Sequence, residues 1–132
     1  MSEKKPYGFE LMLDLVNCDI STFTRDSLDH FFTQLCSLTK MTKVTVYFWD
    51  EDRFDPSNTD NVAGISAVCF IETSNITIHA LDRLREVYIN LFTCKEFDVE
   101  AATEFARSWF NPESMTSRCL YRGGYEALTD MD

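Results

Sequence analysis

The sequence predicts an α+β fold, a two-layer sandwich in which two helices pack on one face of a mainly antiparallel sheet. About six segments have the alternating or β-branched composition of strands, whereas only two have helical spacing. Four strand segments follow one another between the two helices, so the chain lacks the strand–helix alternation of a parallel sheet. Two helices cannot cover both faces of a sheet of about six strands. One face is therefore expected to be left for a partner, and we expect a homodimer.

The first half of the chain contains two predicted strands and one helix. Residues 8–16 alternate between apolar and polar side chains for part of their length, which indicates a half-buried strand. In residues 24–40 the apolar side chains recur at helical spacing as far as Leu38, and Thr24 is a suitable N-cap. Residues 43–49 are rich in β-branched and aromatic side chains, which favours another strand.

A polar loop follows at residues 50–61, with the Pro, Asn and Asp residues typical of turns. Phe54 is the exception in this loop. An aromatic side chain in such a position either anchors the loop to the core or stacks on a planar ligand. The sequence alone favours anchoring.

The second half of the chain has four predicted strands and one helix. A polar break at residues 72–75 separates the first two strands, which favours a hairpin or a sharp corner. The helix covers residues 98–110, with Asp98 as its N-cap and Asn111-Pro112 after its end. The predicted strands are residues 64–72, 75–81, 86–93 and 117–121.

The composition limits the domain count and the classes of partner. The chain has 132 residues, 45% of them hydrophobic, which suits one compact domain with a single core. We therefore expect one domain over residues 1–132. Its 22 acidic and 12 basic residues give a formal net charge of -10. This charge argues against a nucleic-acid partner, because a phosphate backbone requires a basic surface.

The cysteine, histidine and apolar-run patterns argue against several kinds of site. The five cysteines include no C-x-x-C pair and are odd in number, so they do not predict a disulfide framework or a zinc site. With two histidines and no ligand spacing, no metal is expected. The N-terminus has no secretory apolar region, and no apolar run approaches the roughly 20 residues of a membrane span. We therefore expect a cytoplasmic protein without a membrane partner.

Three reactive side chains lie on or beside the apolar segments of the second half: Ser74, His79 and Cys94. One interpretation is a hydrolase in which Ser74 or Cys94 is the nucleophile and His79 is its base. No glycine elbow surrounds Ser74, and the sequence nominates neither an oxyanion hole nor a third member for His79. The other interpretation is structural, with a buried serine, a hydrogen-bonded histidine and a core cysteine. Composition alone favours the structural interpretation.

The segment GISAVCFIETSNITIH, followed by NLFTC, resembles the centre of the bacterial-type S-adenosylmethionine decarboxylase family. The family pattern runs G-V-S-G, then S-E-S-H-x-T/S-I-H-T-W-P-E, then F-T-C-G. Its four functional positions fall on Ser66, Ser74, His79 and Cys94. The resemblance covers nearly the whole chain, from GFELMLDLVNCD near the start to Arg122 near the end.

The resemblance implies a pyruvoyl-dependent enzyme that makes its own cofactor. In the family the serine attacks the carbonyl carbon before it, the resulting ester eliminates, and the new N-terminus becomes the pyruvoyl group. Here the cleavage would lie between Thr73 and Ser74 and would give fragments 1–73 and 74–132. The pyruvoyl group is the electron sink for decarboxylation of S-adenosylmethionine, a reaction that feeds spermidine synthesis.

The resemblance also implies roles for individual residues. Ser66 and His79 would assist the processing, and Cys94 would return a proton to the α-carbon of the substrate. Phe54 would stack on the adenine ring, which keeps ligand stacking open as its role. Asp82 lies one position before the family's ribose-binding glutamate and would replace it if the turn shifts.

Four positions depart from the family pattern. The departures, each given with the family residue that it replaces, are Thr73 (glutamate), Asn75 (histidine), Arg83 (ribose-binding glutamate) and Lys95 (glycine). Processing does not require the first glutamate, because the nucleophile is the Ser74 hydroxyl and the electrophile is main chain. A basic Arg83 is unfavourable beside a sulfonium cation. Two alternatives therefore stay open: an unprocessed, inactive or regulatory homologue, or a decarboxylase of another amino acid such as arginine or ornithine.

Overall fold

A computed structural model describes residues 5–51, 53–72, 74–124 and 127–131 of the chain. Within those residues, the predicted order of strands and helices is confirmed, and a short seventh strand that was not predicted follows the sixth. The strands are β1 (Gly8–Val16), β2 (Lys43–Trp49), β3 (Gly64–Ile71), β4 (Ser74–Leu81), β5 (Glu86–Thr93), β6 (Ser114–Arg122) and β7 (Thr129–Asp130). The α-helices are α1 (Arg25–Thr39) and α2 (Val99–Phe110), and a 3₁₀ turn covers Ile20–Thr22.

The strands form an antiparallel sheet in the order β2-β3-β4-β5-β1-β6-β7. Strands β2 to β5 lie side by side in chain order, and β1 lies between β5 and β6. The first strand of the chain is therefore central in the sheet, because it pairs along its length with strands from the second half. The predicted antiparallel sheet is confirmed.

One face of the sheet, here termed the covered face, carries both helices and the hydrophobic core. Strand alternation places every second side chain on this face, and one core cluster joins those side chains to the two helices. Fully buried rings such as Phe31 of α1 and Phe110 of α2 fill the space between the layers. The covered face includes Leu11, Leu13 and Leu15 on β1, Ile65, Ala67, Cys69 and Ile71 on β3, Ser74, Ile76, Ile78 and Ala80 on β4, and Val87, Ile89, Leu91 and Thr93 on β5.

The opposite face, here termed the open face, has neither α1 nor α2 packed on it in the described part of the chain. Polar and aromatic side chains take the place of the apolar core. They include Tyr47 and Trp49 on β2, Ser66, Val68 and Phe70 on β3, Asn75, Thr77, His79 and Leu81 on β4, and Glu86, Tyr88, Asn90 and Phe92 on β5. The predicted two-layer sandwich with both helices on one face is confirmed.

Both predicted N-caps are also confirmed. The Thr24 hydroxyl accepts the Ser27 N–H at 3.1 Å, and the Asp98 carboxylate accepts the Ala101 N–H at 3.0 Å. Each cap satisfies a backbone donor that the first turn of a helix leaves without an intrahelical partner. In the described ranges, neither helix has the length and apolar character that crossing a membrane requires.

Two side-chain predictions are wrong. Leu38 is 44% exposed instead of belonging to the apolar stripe of α1, because it lies at the edge of the buried arc in the last turn. Phe54 is 84% exposed and does not anchor its loop to the core. The neighbouring Arg53 anchors the loop instead, and its guanidinium lies 5.3 Å from the Phe54 ring centroid.

Three strands differ from the prediction in their bounds. β3 ends at Ile71 instead of residue 72, which lies in a turn. β4 begins at Ser74, because this residue pairs in register with Ile71 on β3 and Thr93 on β5. Thr73 lies outside the described residues. The last predicted strand, residues 117–121, extends further at both ends because it pairs along all of β1, and β7 then adds to its outer edge. Local composition does not reveal such pairing partners.

Candidate functional site

The open face contains a cavity of about 610 Å³ beside the loop that joins β2 to β3. Rings, amides and other polar groups surround it, so it can bind a ligand by stacking and hydrogen bonds. Its lining residues are Trp49, Glu51, Asn58, Asn61, Val62, Gly64, Ser66, His79, Leu81 and Tyr88. Among the residues that the structure describes, no group of three or more His, Cys, Asp or Glu side chains is arranged to hold a metal ion.

Strand register brings Ser66 and His79 together at this cavity. The two residues lie opposite each other where β3 pairs with β4, and such cross-strand neighbours present adjacent side chains on one face. Ser66 Oγ lies 2.8 Å from His79 Nδ1. The hydrogen bond orients the imidazole, whose other nitrogen, Nε2, is the one that a ligand could engage.

Gly64 and Tyr88 shape the walls of the cavity. Gly64 has a φ of +154°, and a Cβ at this position would lie 2.0 Å from the Ala80 carbonyl oxygen, so a larger residue does not fit. The Tyr88 hydroxyl donates a hydrogen bond to the Glu86 carboxylate at 2.7 Å. This bond raises the pKa of Tyr88 to about 12. Tyr88 therefore remains neutral at physiological pH.

Ser74 lies at the other end of β4, on the covered face. It is half-buried, and its hydroxyl donates a hydrogen bond to Thr93 Oγ1 at 2.7 Å. Thr93 is fully buried and also accepts the Lys95 N–H at 3.1 Å. A second cavity of about 180 Å³ borders Ser74, Thr93 and Lys95.

Cys94 directly follows Thr93 and is partly buried at this same end of the sheet. The backbone here packs closely against β1, since a Cβ on Gly8 would lie 2.4 Å from the Thr93 carbonyl oxygen. Lys95, which occupies the position of the family glycine, donates its Nζ proton to the Lys40 carbonyl just after α1. The Lys95 side chain therefore ties this end of the sheet to the helix layer.

The four candidate catalytic residues thus form two groups. The structure brings Ser66 and His79 into contact, and it places Cys94 near Ser74. His79 lies five positions after Ser74 along β4, and this odd offset puts their side chains on opposite faces of the sheet and about 17 Å apart along the strand. Direct proton transfer between these two side chains is therefore excluded in this conformation.

Asp82 and Arg83 both fasten the loop that walls the larger cavity. The Asp82 carboxylate accepts two hydrogen bonds from Arg53, at 2.7 and 2.8 Å, and Arg53 also donates to the Phe23 carbonyl at 2.7 Å. The Asp82 hydrogen bond raises the pKa of Arg53. Arg83 donates to the Asn58 carbonyl. Both side chains are therefore engaged within the protein.

Sequence reasoning did not identify four residues at these sites. Trp49 and Tyr88 lie on the open face by simple strand alternation, and that signal could have found them. Thr93 immediately precedes the matched Cys94, but only the register of β5 with β4 reveals that it contacts Ser74. Glu51 lies in a polar loop, where no periodic signal exists.

Comparisons with known proteins agree with the motif resemblance. The sequence profile described as S-adenosylmethionine decarboxylase matches residues 9–123. Curated proteins yield no significant match. Among solved structures, the chain is similar to the crystal structure of the adenosylmethionine decarboxylase from Aquifex aeolicus VF5, with 18% sequence identity and a TM-score of 0.74. That similarity covers 92% of this chain and 95% of that chain, and at this identity it shows the fold.

Proposed function

Because the chain belongs to the S-adenosylmethionine decarboxylase family, we propose that it decarboxylates S-adenosylmethionine with a pyruvoyl group derived from its own Ser74. Family membership and fold support decarboxylation of S-adenosylmethionine. The observation that carries the proposal is the profile match over residues 9–123. This range includes Ser66, Ser74, His79 and Cys94, the four residues that carry the motif resemblance.

Self-cleavage is proposed at the peptide bond between Thr73 and Ser74. The Ser74 hydroxyl oxygen attacks the carbonyl carbon of residue 73, the C–N bond breaks, and an ester replaces the amide. Elimination then removes the α-proton of Ser74, breaks the bond between its Cβ and the ester oxygen, and releases the carboxylate of residue 73. The dehydroalanine left at position 74 tautomerises to an imine, and water adds to the imine carbon and expels the nitrogen as ammonia, which leaves the pyruvoyl carbonyl. The products are fragments 1–73 and 74–132.

The surroundings of Ser74 suit a carbonyl group formed at this position. Ser74 is the first residue of β4 and borders the smaller cavity, and the Thr93 hydroxyl can hydrogen-bond an oxygen atom there. When present, a pyruvoyl group supplies the electron sink for loss of carbon dioxide. Cys94, next to Thr93, is proposed to return a proton to the α-carbon of the substrate.

The larger cavity is proposed to bind the substrate together with Phe54 and Asp82. Because this cavity lies on the open face and Ser74 of the same chain lies on the covered face, the pyruvoyl group that reacts there would belong to the second protomer of a homodimer. The exposed ring of Phe54 can stack on adenine. Asp82 would accept hydrogen bonds from the ribose hydroxyls while its carboxylate stays paired with Arg53. Ser66 and His79, at the wall of this cavity, are proposed to assist the processing.

The separation of Ser74 from His79 favours a second candidate, an uncut homologue with a binding or regulatory role. The Ser74 hydroxyl is bonded to Thr93 on the covered face, and the imidazole lies about 17 Å away along β4. Asn75 also replaces the histidine that follows the serine in the family pattern. This candidate requires the purified protein to remain a single full-length chain.

We further propose a homodimer that works in the cytoplasm and supplies spermidine synthesis. The open face exposes Tyr47, Trp49 and Phe70 by 61%, 67% and 46%, and clustered exposed rings commonly mark an interaction surface. The five cysteines are odd in number and include no C-x-x-C pair, a pattern that suits a reducing compartment. A monomer in sedimentation at micromolar concentration would contradict the dimer.

The intact mass of the purified protein separates the two candidates. Self-cleavage gives fragments of residues 1–73 and 74–132, whereas one full-length species under all conditions contradicts the pyruvoyl mechanism. Ser74→Ala is the control, because it removes the nucleophile and should give a folded, uncut chain.

Release of labelled carbon dioxide then identifies the substrate. S-adenosylmethionine is the expected substrate, and release from arginine or ornithine instead would assign the protein a different amino acid. Cys94→Ala should retain most of the cleavage and lower turnover, because it removes the proposed proton donor. Equal loss of cleavage and turnover in this variant would argue against that role.

A further inference from the structure

We infer that Glu51 makes the larger cavity selective for an organic cation, and that it recognises the sulfonium group of the substrate. The role assigned to Glu51 rests on the proposed function, because it concerns recognition of the same substrate. The family's ribose-binding glutamate is Arg83 in this chain, so a carboxylate at the cavity has to come from another position.

Glu51 supplies the negative charge of the cavity. Among the described residues that line the cavity, Glu51 has the one carboxylate, and none is a lysine or an arginine. It forms no ion pair with any residue that the structure describes. The carboxylate can therefore attract a cation that enters the cavity.

Arg25, Arg53 and Arg83 pair with other carboxylates and do not neutralise Glu51. Arg25 and Arg53 each pair with an aspartate at 2.7 Å. Arg83 donates to the backbone of the loop between β2 and β3 and pairs with an aspartate of that loop at 3.3 Å. These bonds hold the loop in place while leaving the charge of Glu51 uncompensated.

Aromatic rings beside Glu51 favour the same class of ligand. Trp49 is 67% exposed and lines the cavity, and the neutral ring of Tyr88 lines it as well. The face of an aromatic ring attracts a cation, and tryptophan does so most strongly. A carboxylate and an exposed indole together suit a sulfonium or ammonium group.

The ligand class also includes a planar, polar part. The side chains of Asn58 and Asn61 line the cavity and can donate and accept hydrogen bonds. A neutral thioether of the same shape would keep these contacts but lose the attraction to Glu51. Charge at sulfur is therefore the feature that Glu51 distinguishes.

Equilibrium binding of S-adenosylmethionine and S-adenosylhomocysteine tests this role, because the two compounds differ at sulfur by one methyl group and one positive charge. Calorimetry is performed on the full-length chain with Ser74→Ala, so that turnover does not consume the ligand. We expect a preference for S-adenosylmethionine that Glu51→Gln reduces about threefold to fivefold, the size typical of a partly exposed charge pair. Affinity for S-adenosylhomocysteine should not change.

Glu100→Gln is the matched control. Glu100 is exposed in the first turn of α2, and its substitution removes the same charge from the helix layer. It should leave the preference unchanged. Raising the ionic strength should weaken the preference of the protein that retains Glu51, because salt screens an exposed charge.

The role of Glu51 is refuted if Glu51→Gln leaves the preference for S-adenosylmethionine over S-adenosylhomocysteine unchanged. It is also refuted if the protein that retains Glu51 shows no such preference. Failure of the proposed function is detected in a separate experiment, because self-cleavage is measured from the intact mass of the protein that retains Ser74. An uncut protein with a preference that depends on Glu51 refutes the pyruvoyl mechanism and supports the role of Glu51.

Discussion

The two faces of β4 differ in the burial of their side chains. On the covered face Ile78 is fully buried, and Ser74 is hydrogen-bonded to the fully buried Thr93. On the open face His79 is exposed and contacts Ser66 at the wall of a cavity of about 610 Å³. One strand therefore presents an enclosed hydroxyl pair on one face and an accessible imidazole on the other.

The spacing of a sequence motif does not establish which of its residues meet in the folded protein. Side chains alternate along a strand, so an odd separation places two residues on opposite faces. Ser74 and His79 both match the family pattern, yet they lie in different surroundings within one chain. Residues of one motif need not meet in space.

His79→Ala, on the open face of β4, is expected to have the largest effect. We expect self-cleavage to slow by about 100-fold or more, the range for loss of a positioned acid or base. Because His79 lies far from Ser74 along β4, such a loss would require the hairpin to rearrange or a second protomer to supply the imidazole. The rate is followed by the intact mass of freshly prepared protein. Thr77→Ala, also on the open face of β4, is the control.

An unchanged cleavage rate in His79→Ala would show that the open face of β4 does not contribute to self-cleavage. It would mean that the Ser74 end of the sheet cleaves the chain without the imidazole. Ser66→Ala should follow His79→Ala in either case, because their side chains form one hydrogen-bonded pair.

Ile78→Ala tests how much the buried side chains of the covered face stabilise the fold. Ile78 is fully buried on the covered face, so its truncation should lower the free energy of unfolding by about 2 to 5 kcal/mol through lost burial and an added cavity. Thr77→Ala, the neighbouring substitution on the open face, should change it by about 0.5 kcal/mol or less. Urea unfolding measures both values, and similar losses would contradict the assignment of the two faces.

Thr93→Val tests the enclosed hydroxyl pair. The valine leaves the Ser74 hydroxyl and the Lys95 N–H without their acceptor, which should lower the free energy of unfolding by about 1 to 3 kcal/mol. Thr93→Ser keeps the hydroxyl and should cost no more than about 1 kcal/mol for the lost methyl group. If the valine variant is as stable as the serine variant in urea, the pair does not stabilise the fold.

The smallest expected effect concerns an exposed ion pair between the layers. A hydrogen bond from Arg25 lowers the pKa of Asp50, so this pair stabilises the fold above the unfolded pKa of about 3.9 and loses its effect as the pH falls through the lowered value. Asp50→Asn should cost less than about 1 kcal/mol at pH 7. In urea unfolding the difference from the unaltered chain should shrink below pH 4, and a difference that grows in acid would contradict the pair.

Much of the fold could be predicted because local patterns already express it. Both N-caps, Thr24 and Asp98, and the order of the six long strands and two helices follow from alternation and helical spacing. The exposure of Phe54 could not be predicted, because a loop has no period to indicate which way a ring points. The two-residue β7 was missed because its only signal is its pairing with β6.

The fold class, the family and the four motif positions could be read from the sequence, because each depends on residue type and spacing along the chain. Which of those positions meet in space depends on the folded sheet. It joined Ser66 to His79 through the register of β3 and β4, and it paired Ser74 with Thr93 on the other face. Register and facing depend on hydrogen bonds between distant segments, so only the folded sheet specifies them.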